Sequence, residues 1–195
     1  SVFAPFFADP PADQRVASDF ERVSAYAYHR WHIFKPLLVV AGVSYDRLVL
    51  PANHRLAPVS DREETTDQVS PKAGLVLTPV AGTTLRAAYT RSLGGVSFDQ
   101  SFQLEPTQVA GFNQSVRSLI PEAVAGSIAG AAFETWNLSL EQKVGGGTYL
   151  GAGGEVLFSD VDREVGVFDF SSLPPFTTGG TREELRYRER SLLFT

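Results

Sequence analysis

Residues 83 to 92, TTLRAAYTRS, alternate in character. Leu85, Ala87 and Tyr89 fall on one side of an extended chain, and Thr84, Arg86, Ala88 and Thr90 on the other. Successive side chains of a strand point to opposite faces, so this stretch predicts a two-faced strand over 84–92. The pattern recurs. Within 37–50, Leu37, Val39, Ala41, Val43 and Tyr45 line one face against Gly42, Ser44 and Asp46. Within 69–78, Ala73, Leu75 and Leu77 oppose Ser70, Lys72 and Thr78. Within 131–143, Trp136, Leu138 and Leu140 oppose Asn137, Ser139, Glu141 and Lys143. Strands are also predicted over 18–34, 148–159 and 183–195, although YAYHRWH in the first and RYRER in the last mix the two faces. Helical periodicity is weak, and glycine, proline and β-branched residues favour strands and turns.

The connections carry a second pattern. Three are short, at 35–36, 79–83 and 145–147; three are long, at 51–68, 93–130 and 160–182. Short and long alternate strictly. Loops of more than about a dozen residues are unusual in compact soluble domains. Tight turns at one end and long loops at the other are the layout of a transmembrane β-barrel. Lipid would accept Leu85, Ala87 and Tyr89, and a wet interior would accept Arg86 and Thr90. Tyr89 and Trp136 stand toward strand ends, where amphipathic rings suit the membrane interface. A soluble antiparallel sandwich alternates in the same way and remains the alternative. It requires Val39, Leu75, Leu85 and Leu138 to pack against a second sheet.

The longest connection, 93–130, starts and ends on one side of such a wall, so it holds no spanning strand or an even number. LGGVSFDQ and PEAVAGSIAGA are rich in glycine, alanine and proline, and Val109 and Phe112 in LEPTQVAGFNQSV do not alternate. The segment is expected to be an extracellular or inward-folded loop that contacts ligand or narrows the lumen.

Composition removes several functions. A net charge of -5 over 195 residues gives no reason to expect nucleic acid. With no cysteine there is no disulfide, thiolate metal site or thiol nucleophile. The longest apolar run, LLVVAGV at 37–43, is far short of the ~18 residues of a transmembrane helix. SVFAPFFADPPAD lacks the basic start of a secretion signal. The chain has no methionine and ends on SLLFT within an apolar run, as expected for a piece of a longer protein.

Individual motifs add little chemistry. His29 and His32 would share a metal on a helix, but on a strand they point to opposite faces. GGGTYLGAGG lacks the following helix that a dinucleotide loop needs. Asp160, Asp162 and Glu164 read as a solvated acidic loop without an EF-hand's glycine and later glutamate. No G-x-S-x-G motif accompanies the Ser, His and Asp residues. The chain is therefore expected to be no enzyme, with no catalytic residue, metal or cofactor. Asn113 and Asn137 begin glycosylation sequons, which are irrelevant if the host is a Gram-negative bacterium. RYRER at 186–190 interleaves acid and base, unlike a nucleic-acid stripe, and suits a strand's outer rim among headgroups or solvent.

The stretch DQVSPKAGLVLTPVAGTTLRAAYTRSLGGVSFDQSFQLEPTQVAGF (67–112) resembles the barrel of TonB-dependent outer-membrane receptors, as does LLVVAGVSYDRL (37–48) before it. The likeness covers about 37–158. The resemblance implies an all-β, antiparallel up-and-down meander, a fragment of a large transmembrane β-barrel, with 1–195 as one segment of its wall. A plug domain, the box that contacts TonB and an aromatic-ended last strand are not recognisable in it. By resemblance its partners are outer-membrane lipid, the plug, a TonB-type energy-coupling protein and an unknown solute taken up across the bacterial outer membrane. Lys72, Arg86, Asn137, Glu141 and Lys143 then face the lumen as candidates for plug or solute contact. A passive, porin-like barrel and a soluble sandwich binding module are the alternatives.

Overall fold

The computed structural model describes residues 17, 19–53, 57–94, 105–114, 130–169 and 177–195. Its strands are β1 (Glu21–Phe34), β2 (Leu37–Pro51), β3 (Glu63–Leu77), β4 (Thr83–Leu93), β5 (Gln108–Val109), β6 (Phe112–Asn113), β7 (Ala132–Val144), β8 (Thr148–Asp169) and β9 (Thr177–Phe194). Seven of them form one sheet in the order β1-β2-β3-β4-β7-β8-β9, with every pair antiparallel; β5 and β6 make a separate small hairpin. The sheet is a meander, as the short turns require. Gly145, Gly146 and Gly147 all have positive φ and turn β7 into β8, a strand and not a helix.

The two faces are inverted relative to a soluble sheet. Ser44, Asp46, Gln68, Ser70, Lys72, Thr90, Thr135 and Asn137 are buried. Leu138 is 56 % exposed and Val69 58 %, whereas Lys72 is 3 % exposed. Water would not leave such large apolar groups outside while lysine went in. Among the described residues no second sheet covers the apolar face, because β5 and β6 lie on the polar one. The sandwich alternative therefore fails.

Register shows why this sheet is part of a barrel wall. Leu37, Leu77, Leu85 and Leu140 lie on one rung. β2 begins on that rung, the β4–β7 ladder runs on to Thr83 (85 − 83 = 2 residues), and the β7–β8 ladder to Val144 (144 − 140 = 4). The turns thus step down by about one residue per strand, the shear that closes a sheet into a barrel. With a rise of ~3.3 Å per residue and strands ~4.8 Å apart, the strands tilt by about 35°.

The same stagger levels the outer face. Its apolar run ends at Tyr45, Val69, Tyr89, Trp136, Phe158 and Leu192 on successive strands from β2 to β9. The next residue on that face is charged each time: Arg47, Asp67, Arg91, Glu134, Asp160 and Arg190. From the turns to this edge is roughly 20–25 Å, the height of the apolar band of a membrane barrel. Tyr89 and Trp136 pack as a tilted pair at the edge, with ring centroids 4.6 Å apart.

Three strands are longer than predicted. β3 starts at Glu63, not 69; β8 runs to Asp169, not 159; β9 starts at Thr177, not 183. Past the band the outer face turns charged, so the apolar outer stripe ends while the backbone ladder continues; on β8 the apolar residues Val161, Val165 and Val167 lie in the inner register instead. Ion pairs support these extensions: Arg163 meets Glu183 at 2.7 Å across β8–β9, Arg182 meets Glu64 at 3.1 Å, and Arg62 pairs with Glu164. Asp160, Asp162 and Glu164 consequently belong to a strand, which corrects the acidic-loop reading. Of the long connection 93–130, residues 95–104 and 115–129 lie outside the described residues, including LGGVSFDQ beyond Gly94 and nearly all of PEAVAGSIAGA.

Candidate functional site: a hairpin anchored to the polar face

Residues 105–114 fold back onto the polar face of β1–β4. Val109 pairs with Phe112 and Gln108 with Asn113, leaving Ala110 and Gly111 as a two-residue loop. Their φ angles are 52° and 92°. Positive φ at both central positions is the type I′ turn that matches strand twist. Alanine there is strained by about 1–2 kcal/mol. Its small methyl suits the site, because Ala110 packs against Gly74; a Cβ on Gly74 would lie 2.8 Å from that of Ala110 and 2.7 Å from Cγ1 of Val109.

Apolar and polar contacts hold this hairpin together. Val109 is fully buried with Val40 and Ala88, and Tyr28, Leu38 and Phe112 pack around them. Beside this patch, the Glu105 carboxylate accepts hydrogen bonds from the Tyr28 hydroxyl and from Lys72 Nζ. Gln114 Nε2 donates to the Tyr28 hydroxyl at 3.0 Å and to the carbonyl of Pro106 at 2.5 Å. Lys72 also stands 5.8 Å from the Tyr28 ring centroid. The Tyr28 ring lies flat over Gly42, its partner on β2, where a Cβ would be only 2.4 Å from Cε1. Gly42→Val should therefore displace Tyr28 and loosen the hairpin by about 1–3 kcal/mol, the usual range for overpacking. Faster amide exchange at 105–114, with the sheet unchanged, is the expected readout.

Elsewhere the face carries bonded polar groups, and above them Phe133, Leu157 and Val161 form a second buried apolar cluster with Leu185 and Tyr187 against it. Asp46 accepts from Arg22 at 2.8 Å and Ser24 at 2.5 Å. Gln68 donates to Ser70 at 2.9 Å, and the Thr90 and Thr135 hydroxyls are 2.6 Å apart. Among the described residues no cluster of His, Asp or Glu is arranged to hold a metal ion. His29 pairs with Ala41 and His32 with Leu38, on opposite faces.

A family model described as TonB dependent receptor-like, beta-barrel, matches residues 2–123, which include β1 to β6 and the anchored hairpin. The chain belongs to this TonB-dependent receptor β-barrel family. No curated protein and no solved structure matches it. For a receptor-type outer-membrane barrel the apolar face is the lipid face and the polar face lines the lumen, so the hairpin is an inward-folded loop.

All five residues expected to face the lumen carry lumenal register. Arg86 and Glu141 are brought together at 2.6 Å, next to Gly111 at the hairpin tip. Asn137 is buried between Ala88 and Glu155 in register. Lys143 sits by the turn, its Nζ 5.7 Å from the Tyr149 ring centroid. Lys72 is covered: its side chain is 1 % exposed and its ammonium is engaged by Glu105. Tyr28, Glu105 and Gln114 were not singled out by sequence. Tyr28 was hidden in the ambiguous YAYHRWH, and nothing in a linear pattern pairs position 28 with 105.

Proposed function

We propose that this receptor-type barrel takes part in energy-coupled uptake of a scarce solute, too large for porins, across the bacterial outer membrane. The carrying observation is the hairpin 105–114, anchored on the lumenal face of the barrel wall by a buried ion pair and an apolar patch. Such an anchored loop narrows the lumen, which suits a gated receptor better than an open pore. In this reading the wall and its loops capture and surround solute, a plug domain blocks the rest of the lumen, and a TonB-type protein drives release. No step is catalytic. Arg86 and Glu141, at the hairpin tip, are the polar pair best placed to meet solute or plug.

The test is paired. The intact protein in a planar bilayer should conduct ions weakly, and deletion of 105–114 should raise the conductance severalfold. In cells, removal of the TonB-type protein should stop solute accumulation while leaving surface binding intact. Accumulation that continues undiminished without that protein identifies a passive barrel.

A further inference from the structure

Charges at the upper edge of the lipid face come as opposite neighbours on β2–β3 and on β4–β7. Arg47 faces Asp67 and Arg91 faces Glu134 directly across their ladders. β9 departs from this rule. Arg186, Arg188 and Arg190 follow one another on its outer face, all exposed. Arg186 pairs with Glu184 and opposes Asp160. Arg188 and Arg190 oppose Phe158 and Val156, and no ion pair to either is found among the described residues. Three like charges at alternate positions of one strand face concentrate positive charge at the surface, which suits an anionic ligand.

Position and shape favour one class of anion. Arg190 is the first outer residue beyond Leu192 and Phe194, so the guanidinium groups begin where the apolar band ends. The Arg188 guanidinium lies 5.1 Å from the Phe158 ring centroid, which fixes it against an apolar surface. A groove of about 520 Å³ opens there, floored by Ala132 and Phe158 and flanked by Arg91, Arg186 and Arg188. Its two carboxylates, Glu134 and Asp160, each face an arginine in register. We propose that Arg186, Arg188 and Arg190 bind the phosphate of a membrane lipid headgroup, with the acyl chains running down past Val156 and Leu192. Guanidinium forks match phosphate oxygens bidentately, and the apolar surface below accepts the chains. The proposal rests on the apolar face meeting lipid, and heat-modifiable membrane insertion checks that premise separately.

The intact protein, in phosphatidylcholine-containing micelles titrated with phosphatidylglycerol, is read by native mass spectrometry. R186Q/R188Q/R190Q should insert normally but bind phosphatidylglycerol on the order of a hundredfold more weakly, from roughly fivefold per arginine at an anionic surface. R190Q alone should show about the fivefold step, so the result does not depend on the triple variant folding. R182Q, which removes one of the two arginines at Glu64, should bind as the unmodified protein does. Millimolar inorganic phosphate should not displace the lipid. Unchanged lipid affinity in the triple and single variants, or full displacement by free phosphate, overturns the proposal.

Discussion

Leu138→Arg should leave the protein barely able to hold its place in a bilayer, at a cost of about 2–4 kcal/mol. Leu138 is 56 % exposed on the apolar face of β7, opposite Ala87 and between Leu140 and Trp136 on that face. In water, charging so exposed a side chain would change stability by no more than about 0.5 kcal/mol. In lipid the guanidinium is near the middle of the hydrocarbon, with Leu140 and Leu85 below it and Tyr89 above. The contrasting variant is Thr84→Lys, whose side chain enters the lumen opposite Glu141 and should be nearly neutral. Folding from urea into lipid vesicles, followed by heat-modifiable migration, measures both. Equal stability of Leu138→Arg and the unmodified protein would mean that lipid does not cover this face.

The wall was legible in the sequence because two independent signals agree within the bilayer. Alternation marks each strand, and PVAGT or GGG marks the turn that joins it to the next. Above the bilayer one of those signals stops. At Glu63–Gln68 both faces are polar, and at Asp160–Asp169 acids take the outer face while Val161 is buried on the inner one, so the apolar outer stripe that marks the strands below is gone. What extends the ladder there is the pairing of Arg163 with Glu183 and of Arg182 with Glu64, and neither can be read along the chain. The hairpin was illegible for a different reason. Val109 and Phe112 do not alternate because they belong to two strands of two residues each, joined through Ala110 and Gly111. The lumenal register of Lys72 followed from alternation alone. Its covering by Glu105, 33 positions away, needed the fold.

That covering has a large measurable consequence. The Lys72 side chain is 1 % exposed and that of Glu105 9 %, so each neutralises a charge that water scarcely reaches. Lys72→Ala would take the buried ammonium away from the Glu105 carboxylate, at a cost of about 3–5 kcal/mol. Glu105→Ala would strand the ammonium to a similar extent. Replacing both, as Lys72→Met with Glu105→Leu, should cost far less than the sum of the single changes, because a buried ion pair contributes little beyond well-packed apolar groups. The loss should fall on the hairpin and not on the wall. Residues 105–114 carry only two ladder pairs of their own, whereas β2–β3 is bonded along its whole length. Amide exchange at 105–114 should therefore accelerate steeply in each single variant and recover in the double, while exchange in β2 and β3 and membrane insertion stay as they were. If the single variants exchange no faster than the unmodified protein, Val109 and its apolar neighbours hold the hairpin unaided and the ion pair is not its anchor.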